Sequence, residues 1–245
     1  MSYVDAICAN EFEDDDVAYD RERMAMFLCS YARTIGSQQS VPDMLGDLTS
    51  YSSFSFSEKT AYSYHKTLSN IFAIEEMPAW NVNLRSRTAI RTSPTRYVSD
   101  PSIASASLGL GPGDLINDLK IFGFVFENLC VRDLRVYADV LDGKVFHYRD
   151  KSNLECDAVV HLANGKYSLV EIKLGGQENI DKGAVFLLKL ASRIDDGKMS
   201  SPSFLMVLTG IGSYAYRNRC SYKSACPLAF EIASISHAYL ISGPF

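Results

Sequence analysis

Residues 155–173 read ECDAVVHLANGKYSLVEIK, and this stretch decides the fold of the second half of the chain. Two runs rich in apolar and β-branched residues, 156–162 and 167–173, flank a polar turn at residues 163–165, which is the pattern of a β-hairpin. Apolar spacing on either side predicts further helices and strands, namely helices over 114–137 and 180–194 and strands over 145–148 and 204–208. The predicted order is helix, three strands, helix, strand.

The register of this hairpin decides which charged side chains can meet. In a three-residue loop with Gly165 in left-handed backbone, Asp157 lies opposite Glu171. Asp157, Glu171 and Lys173 then share one face of the sheet. A two-residue Asn-Gly turn would instead set Asp157 against Ile172 and place the acids on different faces. We predict the three-residue loop.

That register brings together residues suited to phosphoryl chemistry. Two opposed carboxylates, Asp157 and Glu171, repel each other unless a cation lies between them, and hard oxygen ligands suit Mg²⁺ or Mn²⁺. Lys173 would orient or help to deprotonate a water, and Glu127, in an otherwise apolar helical stretch, needs a partner and is a third candidate ligand. The alternative is an ion pair on the strand surface with little energetic weight.

The first half of the chain reads as helical. Apolar spacing from Arg23 onward predicts three helices and then a strand within residues 23–80, the third helix starting at a capping box of Ser55 and Glu58. This is the outline of a winged helix-turn-helix, whose third helix would expose Lys59 and Lys66. A helical bundle used for protein contact fits the same outline.

Four arginines follow this helical region. Arg85, Arg87, Arg91 and Arg96 fall within twelve residues that contain no acid, a density that suits phosphate contacts. They could equally pair with the acidic residues at the start of the chain, and the sequence does not separate these options.

Composition narrows the function further. The chain has 245 residues, of which 47% are hydrophobic, and its formal net charge is -5. Residues 1–30 hold eight acidic and two basic side chains, a net charge of -6, so the net charge of residues 31–245 is about +1. No P-loop motif occurs, so we expect that the chain is not an ATPase on its own. The cysteines and histidines fall in no zinc-binding spacing, which argues against a zinc site. We find neither a membrane span nor a signal peptide and expect a cytoplasmic protein.

Several short motifs in order carry a resemblance to a known family: Asn83-Leu84-Arg85-Ser86-Arg87, Arg96-Tyr97 with Asp100-Pro101, Phe122-Gly123, Phe126-Glu127, Tyr148-Arg149-Asp150, Glu155 with Asp157, and Glu171-Ile172-Lys173. At Asp157, Glu171 and Lys173, where an acid precedes an E-x-K strand by a hairpin, the sequence resembles the PD-(D/E)XK, or restriction-endonuclease-like, superfamily. Residues 23–213 as a whole resemble the C-terminal domain of unknown function of prokaryotic AAA-type ATPases.

This resemblance implies an α/β chain in three parts: an acidic leader or linker remnant (1–22), a winged-helix-like domain with a basic linker (23–100) and a PD-(D/E)XK nuclease-like core (101–245). It implies a DNA-binding module with possible Mg²⁺-dependent phosphodiester hydrolysis at Glu127, Asp157, Glu171 and Lys173. Because the ATPase module is absent, the chain resembles a fragment or split product whose ATPase acts in trans. The alternative is a non-catalytic module that docks an ATPase or another protein.

Overall fold

The computed structural model describes residues 3–9, 20–51, 56–81, 93–194, 197, 199–210, 216–219 and 229–234. Its contacts divide the chain into two compact units. Unit 1 comprises Met1–Met77 and Ser93–Leu129, and unit 2 comprises Pro78–Thr92 and Cys130–Phe245. The stretch Ser93–Leu129 belongs to unit 1 because its helices pack against the core of that unit.

Unit 1 is mainly helical with a small two-stranded sheet. Its elements are α1 (Tyr3–Ala9), α2 (Arg21–Arg33), α3 (Val41–Tyr51), α4 (Glu58–Asn70), β1 (Ile74–Met77), β2 (Thr95–Val98), α5 (Pro101–Ser107), α6 (Pro112–Asn117) and the first half of α7 (Leu119–Val140). Strands β1 and β2 are antiparallel. The predicted succession of three helices and a strand is confirmed, whereas β2 and α5 were not predicted from the sequence.

Side-chain caps set where these helices begin. Asp20 accepts hydrogen bonds from the N–H groups of Glu22 and Arg23 at the start of α2. Helix α4 begins after Ser57, whose hydroxyl accepts from the Thr60 N–H. The prediction of Ser55 as the N-cap residue is therefore wrong, because Ser57 is the N-cap of α4. Ser55 itself lies outside the described residues.

The predicted acidic leader is partly structured. Residues Tyr3–Ala9 form α1, and its Ile7 and Cys8 are buried in the unit 1 core together with Phe27 and Leu28 of α2. Val4, Ile7 and Cys8 lie on one helical face, which explains how a segment next to so many acids can still pack. Residues 10–19, which hold most of those acids, lie outside the described residues.

Unit 2 is a six-stranded mixed sheet with helices. Its elements are the second half of α7, β3 (Gly143–Arg149), β4 (Glu155–Leu162), β5 (Tyr167–Lys173), α8 (Gln177–Ala191), β6 (Leu205–Thr209), β7 (Tyr216–Arg219) and β8 (Ala229–Ser234). The strand order is β3-β4-β5-β6-β8-β7. Strands β3 to β5 form an antiparallel meander, and β5, β6 and β8 run parallel. The predicted mixed α/β class and the order helix, three strands, helix, strand are confirmed.

The predicted helix over residues 114–137 is two helices. The chain leaves helical geometry at Asp118, with φ -122° and ψ 83°, and α7 begins at the next residue. The Asp118 carboxylate accepts from the N–H groups of Lys120 and Ile121, which is the capping interaction that starts a new helix.

The hairpin between β4 and β5 has the predicted register. The ladder pairs Ala158 with Val170 and His161 with Tyr167, and the Leu162 N–H donates to the Lys166 carbonyl. Gly165 has φ 81°, as the three-residue loop requires. The two-residue alternative is therefore excluded.

Helix α8 covers one face of this sheet. Its Leu187 and Leu190 are buried against Val159, Leu169 and Val207, which belong to the three central strands. Asp157, Glu171 and Lys173 continue the same alternation along β4 and β5, so they lie on the face that α8 covers. Among the described helices, none is both long enough and apolar enough to cross a membrane.

Candidate functional site

The charged cluster of unit 2 consists of Asp157 on β4 and of Glu171 and Lys173 on β5. The Lys173 Nζ lies 2.6 Å from Glu171 Oε2 and 3.2 Å from Asp157 Oδ2. Asp157 Oδ2 also accepts a hydrogen bond of 2.7 Å from the Ile172 backbone N–H, just beyond the last ladder pair. One ammonium group thus bridges two carboxylates, and the backbone of β5 fixes the position of one of them.

A glycine of α8 lets the helix approach this cluster. A Cβ atom added to Gly183 would lie 3.4 Å from Glu171 Cβ and 3.6 Å from Lys173 Cε, which is van der Waals contact. Glu171 is consequently only 1% exposed. The sequence contained the signal, a glycine within a predicted helix, but not the strand against which it would pack.

Burial and mutual charge shift the ionisation of this cluster. Burial, reinforced by the negative charge of Asp157, raises the pKa of Glu171 well above its usual range, although Lys173 opposes the shift. Burial alone would lower the pKa of Lys173, yet the adjacent carboxylates of Asp157 and Glu171 together raise it. The two carboxylates thus favour the protonated form of Lys173, whose ammonium group lies within hydrogen-bond distance of both.

One oxygen of the cluster has no hydrogen-bond partner. Glu171 Oε1 is buried and accepts no hydrogen bond, whereas Oε2 is paired with Lys173. A buried polar atom without a partner is costly, and its causes in native proteins include backbone or side-chain strain, a bound water or ion, and a catalytic role. Across the part of the chain that the structure describes, no three His, Cys, Asp or Glu side chains converge closely enough to hold a metal ion.

Glu127, the predicted third ligand, belongs to unit 1. Its Oε1 accepts a hydrogen bond of 2.5 Å from the hydroxyl of Tyr97 on β2. The neighbouring Asn128 bonds both backbone groups of Val98, so this turn of α7 is fastened to β2. The sequence argument that Glu127 needs a partner is confirmed, but the identified partner is a tyrosine of its own unit. The contacts described within unit 2 join Asp157, Glu171 and Lys173, and the role of Glu127 as a third ligand stays a prediction.

The predicted nucleic-acid contacts fall into three groups. Lys59 and Lys66 are exposed on one side of α4. Arg96 is only 5% exposed: its guanidinium donates to the Gln39 carbonyl and stacks over the Tyr31 ring, so it is not available to a phosphate. Charge density in the sequence does not reveal such burial. Arg85, Arg87 and Arg91 lie outside the described residues.

Sequence reasoning did not assign a role to Asp150, a buried carboxylate of unit 2 that accepts several hydrogen bonds. Its Oδ1 accepts from the Ser152 N–H and hydroxyl and from the Leu154 N–H, at 2.7 to 3.0 Å. Its Oδ2 accepts from the Tyr148 hydroxyl at 3.3 Å and from Arg193 at 3.0 Å. Burial by itself would raise the pKa of Asp150, but these bonds and the Arg193 charge hold it below its usual range.

Comparison with protein families gives two matches. Residues 122–219 match DUF4143, a domain of unknown function that is generally associated with AAA-type ATPases, and residues 1–114 match a second domain of unknown function, DUF8612. No significant match is found among curated proteins. Each match covers less than half of the chain, and the DUF4143 match includes the whole Asp157, Glu171 and Lys173 cluster.

Proposed function

We propose that unit 2 is a nuclease-like module of the PD-(D/E)XK type that acts on DNA with the help of a divalent cation. The observation that carries the proposal is the convergence of Asp157, Glu171 and Lys173 on one sheet face, with a buried oxygen of Glu171 left unpaired. The hairpin in which an acid precedes an E-x-K strand agrees with the resemblance found in the sequence.

The residues fit a hard cation such as Mg²⁺ or Mn²⁺. Asp157 and Glu171 offer carboxylate oxygens, and the buried Glu171 Oε1 accepts no hydrogen bond from the protein. Mg²⁺ is commonly held by one or two carboxylates, with waters and substrate phosphates completing its coordination, so a third protein ligand is not required. When bound, the cation would polarise the phosphodiester and lower the pKa of a water. Protonated Lys173 would donate a hydrogen bond to that water or to a phosphate oxygen.

Unit 1 would supply DNA contacts in a winged-helix-like arrangement. Helix α4 exposes Lys59, Lys66 and Asn70 on one side, at spacings that place them in a row. Ammonium groups supply charge to the phosphates, and an amide can pair with base edges or with the backbone. Arg85, Arg87 and Arg91 remain proposed phosphate contacts on the basis of the sequence alone.

Cleavage of plasmid DNA in Mg²⁺ or Mn²⁺ tests the catalytic proposal. We expect the wild-type chain to nick the plasmid and Lys173→Ala to lower the rate by about 10²-fold, the usual effect of losing one charged group that stabilises a transition state. Lys166→Ala is the matched control, since Lys166 is an exposed lysine in the turn of the same hairpin. Cleavage that Lys173→Ala leaves unchanged would rule out this site.

A second function, as a non-catalytic module that docks an AAA-type ATPase, is favoured by a different observation. Lys173 already pairs with both carboxylates and offsets part of their repulsion without a cation, and Glu171 is only 1% exposed. The association of DUF4143 with AAA-type ATPases supports the same function. A pull-down with the tagged chain should then recover a P-loop ATPase identified by mass spectrometry, and recovery of none would count against docking.

A further inference from the structure

Lys173 contacts the same carboxylates that the proposed cation would use. Its Nζ lies 2.6 Å from Glu171 Oε2 and 3.2 Å from Asp157 Oδ2, so one ammonium group is shared by both acids. Because a positive charge is already present beside the two carboxylates, the cluster attracts any other cation less strongly than the carboxylates would alone.

The side of the cluster that faces water is formed by Asp157 and Lys173. The side chain of Glu171 is 2% exposed, whereas those of Asp157 and Lys173 are 16% and 28% exposed. The remaining oxygen of Glu171, Oε1, is itself buried. An ion that approaches the cluster from water therefore reaches Asp157 and Lys173 first, and the charge of Lys173 repels it.

This repulsion is large enough to measure. A unit charge and a divalent cation about 4 Å apart repel each other enough to weaken binding about tenfold or more even at the dielectric constant of water, and the effect is larger in a partly buried site. The ammonium group of lysine is carried on a flexible four-carbon stem. Lys173 can therefore turn away from the carboxylates without any movement of β5.

We propose that Lys173 competes with the divalent cation for Asp157 and Glu171, so that the cluster binds the cation weakly until the lysine side chain turns away. This inference rests on the proposed function and adds a means of regulating the same site. Once it has left the carboxylates, the ammonium group becomes available to a phosphate of the substrate.

Isothermal titration of the chain with MnCl₂ tests the competition without a cleavage assay. We expect Lys173→Met, which keeps most of the stem and removes the charge, to lower the dissociation constant for Mn²⁺ about tenfold or more. Lys173→Gln, which removes the charge but still donates hydrogen bonds, should do the same. Lys166→Met is the matched control on an exposed lysine of the hairpin turn and should bind Mn²⁺ like the wild type. Adding Glu171→Gln to Lys173→Met should remove the gain in affinity, which would place the bound ion at this cluster.

The stability of unit 2 supplies a second measurement. Lys173→Met leaves two neighbouring carboxylates without their ammonium partner, so we expect a lower urea midpoint when unfolding is followed by the fluorescence of Trp80, which lies in unit 2. Saturating Mn²⁺ should raise the midpoint of Lys173→Met by more than that of the wild type, because an ion that binds the folded chain stabilises it more strongly the more tightly it binds. A midpoint of Lys173→Met that Mn²⁺ leaves unchanged would make Lys173 a structural partner only and would overturn the proposal.

The results separate this inference from the proposed function. A wild-type chain that binds Mn²⁺ as tightly as Lys173→Met and Lys173→Gln overturns the competition but leaves the proposed cation site in place. If neither the wild type nor the two Lys173 variants bind Mn²⁺, the competition and the cation site are both overturned.

Discussion

Asp150 offers the sharpest test of what stabilises unit 2. The residue is fully buried and accepts hydrogen bonds from Ser152, Leu154, Tyr148 and Arg193, which ties the turn after β3 to the residues that follow α8. Asp150→Ala removes every one of these acceptors and leaves buried donors without partners. We therefore expect a large loss of stability.

The magnitude follows from the geometry of the donors. Breaking a buried ion pair by removing one partner costs about 3–5 kcal/mol, but the Arg193 side chain is 33% exposed and can turn to water, which reduces its share. The Leu154 N–H is buried, and an unsatisfied buried donor costs about 1–3 kcal/mol. Together we expect Asp150→Ala to lower the free energy of unfolding of unit 2 by about 3 kcal/mol.

The assay can be confined to unit 2. Trp80 is the single tryptophan of the chain, lies in unit 2 and is buried against Tyr167, so its fluorescence reports the unfolding of that unit. Urea titrations of the wild type and Asp150→Ala give the difference, with Asp139→Ala, an exposed aspartate of α7, as the control. A difference below about 0.5 kcal/mol would refute the view that Asp150 anchors the turn.

Three further outcomes are expected. Because the pKa of Asp150 is lowered in the folded chain, its contribution to the free energy of unfolding is present above about pH 4 and is lost as pH falls through the folded pKa. The difference in free energy of unfolding between the wild type and Asp150→Ala should therefore become smaller in urea titrations at acid pH. Gly165→Ala should lower the free energy of unfolding by about 1 kcal/mol in the same titrations, because an added Cβ would meet no other atom and only the φ of 81° disfavours alanine. An unchanged free energy of unfolding would contradict the left-handed backbone of the loop. Glu171→Gln should abolish metal-dependent cleavage yet lower the free energy of unfolding by less than the roughly 3–5 kcal/mol of a broken buried ion pair, because Lys173 keeps Asp157 as a partner and is 28% exposed.

The hairpin shows which features the sequence could predict. Its register depends on residues 162–166 alone, where loop length and one glycine choose between two pairings, and the structure has the predicted one. A turn of this kind is determined by a few adjacent residues, so the sequence is sufficient to predict it. The same holds for α2 to α4, whose apolar spacing predicted their buried faces.

Features that depend on distant packing were not predictable. Glu127 was correctly expected to need a partner, but Tyr97 lies thirty residues away on a strand that the sequence did not reveal. Arg96 carried the charge of a phosphate contact, yet the fold buries it against Gln39 and Tyr31. Periodicity and charge give the chemistry of a residue, whereas its partner is set by how elements pack.

The energetics of the Asp157, Glu171 and Lys173 cluster bear on why it is there. A buried ionic cluster is a poor source of stability, because desolvation offsets most of the attraction between its charges, and well-packed apolar residues often serve as well or better. Glu171 adds an unpaired buried oxygen, which makes the arrangement costlier still. A cluster selected for stability alone would have no use for that oxygen. The cation site that we propose would need an acceptor of this kind, and a stability cost at such a position is typical of functional sites.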